Sequence, residues 1–354
     1  MNAVKSPEEL NTHYTMPRKT KVLVTGAGSK IGRQVLNQLI SKIDDYDITV
    51  FDYKRGKNMA FFERYKDQIK VFYGDLSDPR SSIDACRNQD FVIHLLSLSP
   101  ELSNKRITVA EDVNVQGTRY LLENLETYSQ GAYLVYLSTV GVYGDRLKSP
   151  MISVENAVAP CMGDYDALTK LQAEKLIQDS NLEWTILRPA IILNSSHVSL
   201  GSSIFNIPLQ THIEFIHIED LAGALIGCYE NKNMLWGQIF NVGGGENNRI
   251  IYKSYLRRML SILGLKDIRF PNKSFSTRNG IGGYFADGYV LNDILSFRKY
   301  SLEDYFEQLA EKQKFLSQVR NTLLKGLRTK NLLSRSEPLK AYKHADKSKM
   351  KYFF

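Results

Sequence analysis

The chain has 354 residues, 43% hydrophobic and 24% charged, an ordinary globular balance that allows one large or two modest domains. It has no apolar run of about 18 residues, which excludes a membrane-crossing helix. Its three scattered cysteines, Cys86, Cys161 and Cys228, exclude a disulfide framework and a cysteine-ligated metal cluster, and a reducing, cytoplasmic setting is expected. The net charge of +8 is local: residues 312–354 carry twelve Lys/Arg against two acids, which leaves the remainder at about −2.

Residues 1–19 are polar and lack the apolar core of a secretory leader, so a loose arm is expected. Residues 21–52 then read as one complete βαβ unit. An apolar strand (Lys21–Thr25) runs into a turn carrying Gly26, Gly28 and Gly32. Ile31, Val35, Leu36, Leu39 and Ile43 follow at helical spacing, and a second strand (Ile48–Phe51) ends in Asp52. Small residues let backbone approach a pyrophosphate, and a helix N-terminus offers it free N–H groups. A carboxylate ending the second strand can accept hydrogen bonds from ribose hydroxyls. The unit therefore predicts a dinucleotide site.

Strands and helices keep alternating. Apolar strands are expected at 69–75, 90–96, 132–139 and 183–189, with a polar helix before residue 90, a helix over Ile107–Tyr128 and another near Asp164–Ser180. That order predicts an α/β fold of Rossmann type, a doubly wound parallel sheet. After Pro189 the rhythm changes. Residues 195–212 are Ser-rich and irregular, while 215–245 read as strand, helix and strand returning to the main sheet. A helix over 252–264 ends at Gly264, and 270–300 is loop-rich. From Leu302 to about Leu333 apolar residues recur at helical spacing (Tyr305, Leu309, Leu316, Val319, Leu323, Leu327). The expected division is a dinucleotide domain over 20–190, joined by 215–245. A small C-terminal substrate lobe follows from 191–214 and 246–311, then a basic helical tail over 312–354.

Eight motifs in order resemble the extended short-chain dehydrogenase/reductases, the group that includes NAD-dependent sugar epimerases and dehydratases. They are TGAGSKIG (25–32), GDLSD (74–78), VIHLLSLSP (92–100), NVQGTRYLLE (114–123), YLSTVGVYG (136–144), LRPA (187–190), FIHIEDLAGAL (215–225) and FNVGGG (240–245). The phosphate loop departs from the family at Ser29, where a glycine is usual. The resemblance covers residues 20–310. It implies that Gly26, Gly28, Ser29, Lys30, Ile31 and Gly32 form the phosphate loop, that Asp75 and Leu76 flank the adenine, and that Leu95 lines the cofactor. Asn114 would support the active-site backbone. Asp52 favours NAD over NADP, because a carboxylate repels a 2′-phosphate, although Lys54, Arg55 and Lys57 lie just beyond it.

The same resemblance implies catalysis by a hydroxyl, at Thr139, and by a Tyr and a Lys four residues apart. That spacing puts both on one helix face. Lys170 fits, as does the KLQAE that it begins, but Asp166 stands four residues before it and Tyr165 five. Five residues turn a helix by about 500°, roughly 100° off the expected face. Three readings stay open. The extra residue is absorbed, as a π-bulge or at the helix start, and Tyr165 serves; Asp166 or another group such as Tyr143 supplies the proton; or the acid–base step has been lost. Phe215 follows Arg188 by only 27 positions, a short insert for a nucleotide-sugar enzyme. His197, His212 and His217 lie near it, in roles expected to be structural. The expected partners are a small-molecule substrate, a second copy of the chain through the helices near 107–128 and 165–180, and an acidic partner or membrane surface for the tail. Neither nucleic acid nor metal is expected.

Overall fold

The computed structural model describes residues 18–195, 201–317 and 330–354. Most of the N-terminal arm, His197, and Val319, Leu323 and Leu327 of the tail stripe lie outside the described residues, as does the side chain of Leu316.

Seven parallel strands form the central sheet: β1 (Thr20–Thr25), β2 (Tyr46–Asp52), β3 (Ile69–Tyr73), β4 (Phe91–His94), β5 (Tyr133–Leu137), β7 (Glu183–Pro189) and β10 (Gln238–Val242). The short β6 is Met151–Ile152. The spatial order is β3-β2-β1-β4-β5-β7-β10, so the chain reverses direction between β1 and β4. In open α/β sheets this switch point, at the carboxyl ends of the strands, is where ligands bind. Alternation along β1 builds both faces of the core. Val22 and Val24 pack with Leu36 and Leu225, under the helices Lys30–Ile40 and Ile218–Glu230. Leu23 packs on the other side with Leu121, Leu125 and Ile177, under Gly117–Tyr128 and Tyr165–Gln178.

A second sheet orders β11 (Arg249–Ile251), β9 (His212–His217) and β8 (Ile191–Leu193), and β12 (Tyr284–Phe285) pairs with β6. Here the sequence expectation needs correction. The strand expected near 215 does not rejoin the main sheet; it is the centre of the small one, and only the Ile218–Glu230 helix and β10 return. The small sheet and the helices Tyr252–Ile262 and Leu302–Ser317 bury a separate apolar cluster that includes Phe205, Phe215, Leu256, Tyr305 and Leu309.

Two helices differ as well. The polar helix expected before residue 90 is a chain of turns, because Asp75 and Asp78 accept the N–H groups two residues on and Pro79 follows. The helix over 107–128 contains a π turn, Glu111–Gln116.

The described part of the tail folds back onto the lobe as two short helices, Glu337–Lys343 and Lys347–Phe353. Buried Ser336 donates to the Ser274 carbonyl, and the Phe353 carbonyl accepts from Ser276 and from the Thr277 N–H. The tail's cations point outward while Leu339, Ala341 and Phe353 are buried.

Candidate functional site

A cavity of about 960 Å³ runs along the carboxyl ends of β1, β4 and β5 and into the small lobe. Its wall at the β1 end is the glycine turn. Gly26 has φ +73, and a Cβ there would lie 2.7 Å from the Leu96 backbone; a Cβ on Gly28 would fall 2.3 Å from the Asn58 side chain. Side chains do not fit there, so bare backbone lines the cavity. Ser29 caps the following helix by accepting from the Gly32 N–H, and Lys30 and Ile31 line the cavity from its first turn. Gly32 does not line it. A Cβ on Gly32 would meet the Gly26 carbonyl at 2.3 Å, so that glycine serves helix–strand packing.

Asp52 closes this end. Its carboxylate accepts from the Gly28 N–H (2.5 Å), the Tyr53 N–H (2.7 Å) and Asn58 (3.1 Å). Burial pushes its pKa up, against those hydrogen bonds and the nearby Arg55. Tyr53, Arg55 and Asn58 also line the cavity; of these the sequence pointed only to Arg55. Two expected contacts are not in the wall. Leu76 is fully buried against Gly117, and Asp75 is exposed and bonded to Tyr53 and Ser77. Leu95 is in the wall. Asn114 is not, but its side chain accepts from the Leu98 N–H (2.7 Å) and donates to Thr169 (2.9 Å), fixing a lining loop to the next helix. His94 is buried between Thr25 and Thr118, and burial holds its pKa at about 3, so it is neutral.

The middle of the cavity is formed by β5 and the helix Tyr165–Gln178. Thr139 lines it and accepts from the Gly141 N–H, capping a short helical turn. Lys170 is buried, donates to the Leu137 carbonyl (3.0 Å), and lies 5.8 Å from the centre of the Tyr136 ring. Burial lowers its pKa, and Asp166 and Glu174 oppose the shift. The helix is regular α from its first residue, so the extra residue is not absorbed by a bulge in it. Tyr165 stands at its first position, with its N–H on Asn104, and does not line the cavity; Asp166 does. This corrects the expectation for Tyr165, and the physical reason is the unbroken 3.6-residue period. Tyr143 is also removed as a proton donor. Its phenol donates to Asn241 and accepts from Arg188 inside a buried network.

That network holds the helix in place. Glu174 is fully buried and takes a two-pronged ion pair from Arg188 (3.0 and 2.6 Å), with Ser138 on the same carboxylate. The far end of the cavity, in the small lobe, is apolar: Ile204, Ile207, Ile213, Phe215, Leu256 and Met259 line it. His212 and His217 stay outside it. Among the described residues no three His, Cys, Asp or Glu side chains gather to hold a metal, and no helix is long and apolar enough to cross a membrane.

Residues 23–194 match the 3-beta hydroxysteroid dehydrogenase/isomerase family. Among solved structures, a short-chain dehydrogenase/reductase superfamily protein from Agrobacterium tumefaciens with bound NAD is similar over 85% of this chain and 100% of its own (18% identity, TM-score 0.65). A UDP-glucuronic acid 4-epimerase from Bacillus cereus, in complex with NAD, covers 84% of this chain and 100% of its own (20%, 0.67). A dTDP-glucose 4,6-dehydratase from Streptomyces venezuelae, also with NAD, covers 85% and 98% (20%, 0.68). By its ordered motifs, by the match over residues 23–194 and by its fold, the chain resembles the extended short-chain dehydrogenase/reductases and has their fold.

Proposed function

We propose that the protein is an NAD-dependent oxidoreductase or epimerase acting by hydride transfer at a carbinol or carbonyl carbon. One observation carries the reading: a single cavity joins the side-chain-free glycine turn and Asp52 to Thr139 and Lys170, and continues into a separate lobe. The donor set fits the dinucleotide. The turn and helix N-terminus suit a pyrophosphate, and a carboxylate at the end of β2 suits ribose hydroxyls. Bound there, the nicotinamide supplies the hydride acceptor or donor. Asp52 orients the adenosine end and disfavours a 2′-phosphate. Thr139 holds the substrate oxygen by its hydroxyl, and Lys170 places positive charge beside it. The solved neighbours named for UDP-glucuronic acid and dTDP-glucose support a sugar or nucleotide-sugar substrate.

A specific observation favours a second substrate reading, an apolar secondary alcohol or ketone. The lobe end of the cavity is walled mainly by aliphatic and aromatic side chains, with Ser203, Tyr252, Tyr255 and Tyr305 among them, and among its described lining residues none there is cationic. A diphosphate needs such charge. Titration with UDP-glucose and with 2-decanol in the presence of NADH separates the two, each predicting saturation by one ligand only. A cytoplasmic dimer completes the reading and is tested by light scattering on the purified chain. The tail's outward cations, among them Lys340, Lys343, Lys347 and Lys349, suit an acidic partner or anionic surface, tested with anionic vesicles at two salt concentrations.

A further inference from the structure

We propose that Asp166 is the acid–base group of this site, an assignment that rests on the dinucleotide reading of the cavity. Asp166 lies one helical turn before Lys170 on an unbroken helix, so both side chains share the face that lines the cavity. It is 5% exposed, and its Oδ1 has no hydrogen-bond partner. A buried carboxylate oxygen without a partner is costly unless a ligand or proton completes it. Lys170 does not complete it: its ammonium is held by the Leu137 carbonyl, and the two charges do not close into an ion pair. A gap therefore separates a carboxyl and an ammonium in one cavity, with the Thr139 hydroxyl on the same wall.

The competing phenols are accounted for. Tyr165 does not line the cavity, Tyr143 is bonded to Asn241 and Arg188, and Tyr136 is a buried residue of β5 whose pKa burial raises well above the ordinary value. The groups facing Asp166 are Ser103, whose hydroxyl donates to the Leu98 carbonyl, Lys170, Asp164 at the helix cap, and Tyr136. Glu174 and neutral His94 act on it only through Lys170. Burial is the largest influence and raises the Asp166 pKa, with Lys170 and Ser103 opposing. A carboxyl raised in this way holds its proton more readily than an ordinary aspartate, which suits a group that must both take and return one.

In the oxidising direction the substrate O–H proton passes to the Asp166 carboxylate. The carbinol C–H bond breaks, and its electron pair leaves as hydride to the nicotinamide co-substrate. The alcohol becomes a carbonyl, the co-substrate is reduced, and the carboxylate becomes a carboxylic acid; reduction runs the same transfers backwards. An aspartate reaches less far than a tyrosine, so the reacting oxygen enters deeper, between this helix and Thr139.

The test combines three readouts on the full chain. Infrared titration of protein labelled with ¹³C-aspartate is read without cofactor. The expected result is a protonated-carboxyl signal that persists above the ordinary Asp range of about 3.9 and loses one aspartate's share in Asp166→Asn, the remainder coming from Asp52, Asp164 and Asp220, which burial also raises. NADH affinity, read by fluorescence, is expected to stay within about threefold in Asp166→Asn, whereas turnover of 2-decanol or UDP-glucose falls by roughly 10²–10⁴-fold and Tyr165→Phe changes little. Should Asp166→Asn not fold, Asp166→Glu keeps the charge beside Lys170 and is expected to keep the raised band and part of the turnover. A raised-carboxyl signal that is unchanged in Asp166→Asn overturns the assignment, as does full turnover by Asp166→Asn. If wild type does not bind NADH, the dinucleotide reading fails, and the catalytic role falls with it whatever the infrared result. If NADH binds but neither substrate is turned over, the infrared titration decides alone.

Discussion

Glu174→Gln is the perturbation whose cost the structure defines most closely. The carboxylate is fully buried, Arg188 is 4% exposed, and the pair shares two hydrogen bonds of 3.0 and 2.6 Å. Ser138 at the end of β5 donates to the same carboxylate, and Arg188 also donates to Tyr143, whose phenol reaches Asn241 on β10. One side chain thus ties the helix bearing Asp166 and Lys170 to three neighbouring strands. Glutamine keeps the shape but leaves a buried guanidinium uncompensated, which costs about 3–5 kcal/mol. With an unfolding entropy of about 2.1 cal/mol/K per residue, a chain of this length loses about 0.7 kcal/mol per kelvin at Tm, so Tm should fall by about 4–7 °C. Calorimetry checks the size, and urea unfolding checks that the loss is one of stability. A loss below about 1 kcal/mol would refute the reasoning, because it would mean that water reaches the pair and screens it.

Three further outcomes are expected. Asp52→Asn should narrow the preference for NADH over NADPH by at least about tenfold, since the charge that repels a 2′-phosphate is gone; an unchanged ratio by titration counts against the role of Asp52. His94 is held neutral with its pKa lowered to about 3, so its contribution to stability is present above the unfolded value of about 6.5 and is lost as pH falls from there toward 3. His94→Gln should accordingly flatten the stability–pH slope by up to about 1.4 kcal/mol per unit in that window, measured by urea unfolding at several pH values; an unaltered slope contradicts it. Removing residues 347–354 should lower stability by about 2–4 kcal/mol, from the lost burial of Phe353 and its carbonyl's hydrogen bonds. Wild-type stability in the truncated chain would return the tail to a solvated appendage.

The βαβ unit was legible because each requirement is local: glycines where side chains do not fit, a helix start beside them, and an acid at the end of the next strand. The sheet followed from apolar strands alternating with amphipathic helices. The placement of 212–217 was not legible, because an apolar strand reads the same whichever sheet accepts it. Likewise the turns at 76–89 depend on side-chain bonds of Asp75 and Asp78 that compete with a helix of similar polarity. In the site, the helical period alone posed the conflict between Tyr165 and Asp166, and only the helix start at Tyr165 resolved which side chain meets the cavity. Tyr53 and Asn58 were missed because they act from beyond Asp52, Asn58 from the short helix Gly56–Phe62. The signal for the apolar lobe was present in the run Ile191–Leu193 directly after the LRPA motif.

Calorimetric titration of NADH into the full chain, beside Gly28→Val, tests the central claim most directly. Gly28 has an ordinary backbone conformation and is only partly buried, so the added side chain meets Asn58 and the cavity rather than the core. The account predicts one site per chain with micromolar affinity, weakened at least about tenfold by Gly28→Val with Tm little changed, since about 1.4 kcal/mol of binding is a factor of ten. No binding at millimolar NADH, or equal binding by the variant, would contradict the assignment of this cavity to a dinucleotide.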